Sequence, residues 1–361
     1  MQHFEHGGNL YAAARQTGAN LSEYLDFSAN INPLGIPTSV RQALAMSLDS
    51  IIHYPDTEAA MFKQAVSQHY RVPVETITAG NGAVELLYVL CHVIKPRRVL
   101  IPAPAFSEYE RAARAARAEI EYFFLQSEAG FAVAIEEIIS ALPTVDMVFL
   151  GNPNNPTGVL VENRQIETLL AAAKECNVTV VVDESFLDFL PEDSMYTCRP
   201  LLRKYPNLFI LHSLTKFYAM PGLRLGFALT NPDLTGLLHL GKDPWNVNCL
   251  AQIAGVTALN DSDYRQQSRR LLADEINLFY QGLADIPGLK VYPPTVNFIL
   301  IDITGAGMMA TNLRKAMMEN KVLIRDCSNY PGLSPFFIRV AIKQPKQNRL
   351  LLKVLRQALT K

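Results

Sequence analysis

The stretch Leu-Phe-Ile-Leu-His-Ser-Leu-Thr-Lys-Phe-Tyr-Ala-Met-Pro-Gly-Leu-Arg-Leu-Gly, residues 208–226, runs from an apolar segment straight into a serine, a lysine and an arginine. Residues 208–212 read as a buried strand. Lys216 then falls just past its end, at the carboxyl edge where open α/β sheets bind ligands. A partly desolvated lysine there gives up its proton more readily and can condense with an aldehyde. Ser213 and Arg224 flank it as hydrogen-bond donors for a phosphate. An isolated SxxK after a strand is more often a surface lysine; the complete SLTKxxxxPGLRLG string favours chemistry.

Working outward, further apolar runs stand at 77–79, 98–101, 120–124, 147–150, 179–183 and 226–229. Several are β-branched and almost continuously apolar, as parallel strands buried on both faces are. Amphipathic helical stretches lie between them at 83–93, 108–117 and 163–175, the last followed by Asn177 as a left-handed cap. This alternation predicts an α/β domain over residues 45–248 with a mainly parallel seven-stranded sheet. Beyond it the pattern changes. One long helix is expected over 250–285, then strands near 290–292, 298–303 and 336–341 alternating with helices over 308–319 and 344–359. Residues 249–361, joined by 1–44 as an N-terminal arm, are expected to form a smaller α+β domain.

Four more strand ends carry chemistry beside Lys216. Asp183 closes the run Val180-Val-Val. Alone it suits a cap, a metal ligand or a structural carboxylate; near an imine lysine it can keep a pyridine nitrogen protonated. Asn155 sits in Gly151-Asn-Pro-Asn-Asn-Pro-Thr-Gly158, a turn rigid enough to aim an amide. Thr78-Ala-Gly-Asn-Gly82-Ala83-Val-Glu85 joins a strand to a helix, and its amides can hold an anion at a helix N-terminus. Phe106, in Pro102-Ala-Pro-Ala-Phe-Ser-Glu-Tyr109, offers a ring face for stacking on a heterocycle.

Composition narrows the partners. Lys plus Arg (33) nearly balances Asp plus Glu (34), so no excess positive charge exists for nucleic acid or an anionic membrane. Five scattered cysteines without a CxxC pair read as reduced thiols of a cytoplasmic protein. The seven histidines show no metal-ligand spacing such as HxxxH, so no metal is expected. No signal pattern opens the chain, and no apolar run reaches membrane-span length.

The motifs around Lys216, Asp183, Asn155 and Phe106, in this order and spacing, resemble the fold-type I pyridoxal 5′-phosphate (PLP) family, particularly its histidinol-phosphate aminotransferase-like branch. The resemblance covers essentially the whole chain and implies the aspartate-aminotransferase-like α/β fold. It implies Lys216 as the imine lysine and proton shuttle, with Asp183 on the pyridine nitrogen. Asn155 would meet the phenolate oxygen and Phe106 would stack on the ring, while Gly82, Ala83, Ser213 and Arg224 hold the cofactor phosphate. Tyr54, in His53-Tyr-Pro-Asp56, matches a tyrosine that reaches the phosphate of a neighbouring subunit, which implies a homodimer with shared active sites.

Other strings set a direction within that branch. His6-Gly7-Gly8-Asn9, Leu25-Asp-Phe-Ser-Ala-Asn30-Ile-Asn-Pro-Leu-Gly35, Leu323-Ile-Arg325 and Phe337-Ile-Arg339-Val-Ala-Ile342 are similar to members that decarboxylate a small phosphorylated amino acid. Phe186 stands where the aminotransferases usually carry a tyrosine. The resemblance implies His6, Gly7, Asn30, Asn155, Arg325 and Arg339 as substrate contacts, with the two arginines as anion clamps. Transamination of a histidinol-phosphate-type substrate, or decarboxylation of L-serine O-phosphate, remains the alternative activity.

Overall fold

The computed structural model describes residues 7–360. Its strands, in chain order, are β1 (Leu25–Asp26), β2 (Ile77–Asn81), β3 (Arg98–Ala103), β4 (Glu119–Phe124), β5 (Met147–Gly151), β6 (Thr179–Asp183) and β7 (Leu208–Ser213). They continue with β8 (Leu225–Leu229), β9 (Lys290–Val291), β10 (Phe298–Asp302), β11 (Val322–Leu323), β12 (Arg325–Asp326) and β13 (Phe337–Ala341). Seven of them form one sheet in the order β2-β8-β7-β6-β5-β3-β4. Every pair in it is parallel except those of β8, which runs antiparallel to β2 and β7. This is the mainly parallel sheet expected.

The strands read as continuous apolar runs because both faces are covered. Met147 and Phe149 of β5, Val181 of β6 and Phe209 of β7 bury against the helix Ala83–Ile94 and its neighbours. Their alternates Val148, Val180 and Ile210 belong to the larger core on the opposite face. Each strand thus loses water from both sides, worth about 1.5–3 kcal/mol per fully buried aliphatic side chain. The helix Asn163–Glu175 ends as foreseen, with Asn177 in the left-handed region at φ 56°.

The single helix expected over 250–285 is two. Cys249–Asn260 stops at Asp261, whose carboxylate accepts the Tyr264 N–H and starts Ser262–Ala284 as a new N-cap. An aspartate that bonds its own downstream amide competes with helix continuation. The remaining strands build a four-stranded antiparallel sheet, β12-β13-β10-β9. β1 pairs in parallel with β11, and the chain then crosses to the lysine turn, where the Asn32 N–H donates to the Lys216 carbonyl at 3.0 Å. The N-terminal segment therefore touches the lysine turn, and through the Phe27 carbonyl, which accepts the Ala341 N–H at 2.8 Å, it also touches the second sheet.

In the large sheet β3 has β4 on one side and β5 on the other, so the chain reverses its winding there. Crevices open at such reversals, beyond the carboxyl ends of the strands. The functional residues lie at or just beyond the ends of β3, β5, β6 and β7.

Candidate active site

A cavity of about 420 Å3 opens at this edge. Lys216, on the short helical turn Leu214–Phe217, stands in its wall together with Asp183 and Phe106. Burial pushes the Lys216 ammonium down to about 8, with the Arg339 and Arg224 charges acting in the same direction and Asp183 and Asp26 opposing. A low-dielectric site disfavours the charged form, so this lysine reaches its nucleophilic neutral state far below the ordinary lysine value.

Asp183 is the last residue of β6 and is 8 % exposed. One carboxylate oxygen accepts the Tyr109 hydroxyl at 2.7 Å, the other the Ser185 amide at 2.9 Å. Tyr109 is itself fixed, its ring stacked on Phe149 at 5.1 Å and met edge-on by Phe106 at 5.6 Å. Burial and the Asp183 charge hold its phenol far above the usual value, so Tyr109 stays a donor. The carboxylate is thereby aimed and kept as an acceptor for one more proton-bearing group. Strand phase decides which residues share this space. Leu211 and Ser213 line the cavity, whereas His212, one residue out of phase, lies flat on Phe227 at 4.9 Å behind the sheet.

A phosphate cup closes one end. The helix Ala83–Ile94 directs its N-terminus at the cavity, with Gly82 as its cap at φ 76°. Arg224 packs so tightly on Gly82 that a Cβ there would lie 2.2 Å from its Nη2. Gly226 is equally constrained, since a Cβ would stand 2.5 Å from the Ala83 nitrogen. The Ser213 and Thr215 hydroxyls bond each other at 2.8 Å beside it. First-turn amides, two hydroxyls and one guanidinium make a dianion site. An aldehyde-reactive amine, an aimed carboxylate and a phosphate cup, all around one cavity, fit PLP.

The opposite wall is built by the second sheet. Arg325 of β12 and Arg339 of β13 are direct cross-strand partners, each 5 % exposed and each on the cavity. Arg325 donates to the Asn329 side chain at 2.9 Å and lies 5.2 Å from the Tyr330 ring centre. Arg339 donates to the Asn155 side-chain oxygen and, through Nη2, to the Ser28 carbonyl at 2.9 Å. Among the described residues, Arg339 Nε and Asn30 Oδ1 are buried without a protein partner. Buried polar atoms rarely go unpaired, and unpaired ones beside a cavity suit a ligand.

Of the residues singled out from sequence, Ala83, Asn155, Ser213, Gly7 and Asn30 also line this space. Gly82 backs it through Arg224. Tyr54 does not: it is 81 % exposed and its ring lies tilted against Trp245 at 5.0 Å, outside its own chain's cavity. His6 lies outside the described residues. Tyr109, Ser185 and Ser28 were not foreseen in any role. Tyr109 carried a signal, since it follows Phe106, the cap of the helix Ser107–Ala115, by three residues in the same motif. All five cysteines are free, and the described residues contain no cluster suited to a metal. No helix among them is long and apolar enough to cross a membrane.

The family model for class I and II aminotransferases matches residues 22–355. The threonine-phosphate decarboxylase of Salmonella typhimurium is 41 % identical over 98 % of this chain and 96 % of its own. Among solved structures, the histidinol-phosphate aminotransferase from Clostridium acetobutylicum superposes with a TM-score of 0.87 at 31 % identity, covering 93 % of this chain and 99 % of that one. The L-threonine-O-3-phosphate decarboxylase from Porphyromonas gingivalis gives 0.82 at 29 % identity, with the same coverage.

Proposed function

Since this chain belongs to the class I and II aminotransferase family and is a PLP enzyme, we propose that it decarboxylates L-threonine O-3-phosphate. The products are 1-aminopropan-2-ol O-phosphate and CO2, the former serving as the linker of the cobalamin nucleotide loop. The observation that carries this reading is the cross-strand pair Arg325 and Arg339. Like charges directly opposed across a ladder repel. A substrate bearing a phosphate and a carboxylate relieves that repulsion, while Arg224 serves the cofactor phosphate separately.

When bound, PLP supplies an electron sink for the pair left behind as a bond at the substrate Cα breaks. The chain chooses the bond. Arg325 and Arg339 fix the two anions and hence the rotation of the substrate about Cα. Clamped in this way, the substrate would present its carboxylate bond rather than its Cα–H bond for cleavage, and CO2 would leave. Asp183, aimed by Tyr109 and Ser185, would hold the proton on the pyridine nitrogen. Lys216 Nζ would return a proton to Cα. Asn155 would meet the phenolate oxygen and Phe106 the ring face, with Gly82, Ala83 and Ser213 on the phosphate. His6, the Gly7 amide and Asn30 would complete the substrate contacts.

We assign residues 45–248 to the cofactor-binding domain and 1–44 with 249–361 to the smaller one. The enzyme acts as a cytoplasmic homodimer in this reading. Its support is Tyr54, an exposed aromatic tilted against half-exposed Trp245, which suits a side chain offered to the partner's phosphate cup. The test supplies O-phospho-L-threonine without any keto acid. Catalytic CO2 release with the PLP form regenerated is expected. A single turnover to the pyridoxamine form overturns the proposal in favour of an aminotransferase.

A further inference from the structure

We propose that Ser28 is a latch that fixes the N-terminal segment against the arginine wall, making it a positioning residue for the substrate site; the inference rests on the substrate contacts assigned above. Ser28 is 6 % exposed and engaged on every polar atom. Its hydroxyl donates to Asp26 Oδ1 at 2.6 Å, and its N–H donates to the same oxygen at 2.8 Å. With the hydroxyl proton committed to a carboxylate, its lone pairs face outward, and one accepts the Gly8 N–H at 2.7 Å. Its carbonyl accepts Arg339 Nη2 at 2.9 Å.

The base of the latch is rigid, because Asp26 lies in β1 and pairs with Leu323 of β11, two residues before Arg325. Its upper side fits only glycine. A Cβ on Gly7 would stand 2.1 Å from the Ser28 carbonyl oxygen, and Gly8 sits at φ 83°. One serine thus connects the segment contributing Gly7 to the guanidinium of Arg339, and both line the cavity. The two glycines of the HGGN string are explained by this close approach, as glycine is the residue that allows a backbone to pass at such a distance. Loss of the hydroxyl leaves the backbone bond to Arg339 in place and releases only the segment above it.

Ser28→Ala in the PLP-loaded enzyme tests this. Hydrogen exchange of the peptide spanning residues 7–17 should accelerate about tenfold, the size of one ordinary hydrogen bond. KM for O-phosphothreonine should rise by about the same factor, with kcat within about threefold. Gly7→Ala, whose Cβ would press on the Ser28 carbonyl that also holds Arg339, should accelerate the same exchange at least as much and raise KM further. Unchanged exchange and KM in Ser28→Ala overturn the latch. So does a joint fall in kcat and thermal stability with KM unmoved, which marks a structural serine. If the unsubstituted enzyme releases no CO2, the substrate reading fails by itself, and the exchange measurement alone then decides the latch.

Discussion

Replacing Gly82 by alanine should weaken PLP binding through a residue it does not covalently alter, Arg224. Gly82 holds φ 76° and ψ 155°, a region essentially reserved for glycine, so alanine costs about 1–3 kcal/mol of stability. The larger effect is steric. The new Cβ would lie 2.2 Å from Arg224 Nη2 and 2.7 Å from its Cζ, so the guanidinium must leave the cup. A charge-assisted hydrogen bond is worth about 1.5–3 kcal/mol, which predicts a Kd for PLP raised about 10- to 150-fold. The assay titrates apoenzyme with PLP and follows the visible absorbance of the bound cofactor. Arg224→Met and the double variant complete the cycle. If Gly82 acts through Arg224, the double variant binds PLP hardly worse than Arg224→Met alone, because the two sites share one interaction. Additive losses, or a Kd for Gly82→Ala within about threefold of the unsubstituted enzyme, would refute the reasoning.

Uptake of PLP by the apoenzyme needs the neutral Lys216 amine, so its rate should rise with pH through a midpoint of about 8. Arg339→Met removes one of the charges that depress this lysine and should move the midpoint upward; stopped-flow absorbance across pH reads both, and an unshifted midpoint in the variant contradicts the electrostatic account. Tyr109→Phe takes one of two donors from Asp183 and should lower kcat by about tenfold, measured by CO2 release, with thermal stability falling only slightly. Arg325→Ala should weaken O-phosphothreonine binding far more than threonine binding, by roughly 2–5 kcal/mol against little for threonine. Equal losses in calorimetric titrations of the two ligands would remove Arg325 from the phosphate.

Much of the scaffold was legible because burial on both faces leaves a simple mark. β5, β6 and β7 read as unbroken apolar runs, and their ends put Lys216, Asp183 and Asn155 at the carboxyl edge of the sheet. The fourfold recurrence of polar residues after apolar strands was enough to draw the cup and the ring site. Other elements left no such mark. β1, β11 and β12 are two residues each, too short for a period of two to declare itself. The break at Asp261 was written in Asn260-Asp-Ser-Asp263, a capping signal that the apolar spacing on either side concealed.

The sequence by itself determined the sheet, the lysine and the family of chemistry, since local periodicity and strand-end residues are encoded within short windows. Tertiary structure alone decided how the anions are met. Arg325 and Arg339 stand 14 positions apart in the chain, and only the β12–β13 register sets them face to face. Tyr109 reaches Asp183 across 74 residues, Ser28 reaches Arg339 across 311, and Arg224 folds back onto Gly82. Such contacts depend on the relative placement of distant strands, which the apolar pattern of each strand does not specify. The lysine's depressed pKa belongs to the same class, because burial and the Arg339 guanidinium, brought in from a distant strand, create it together with nearby Arg224.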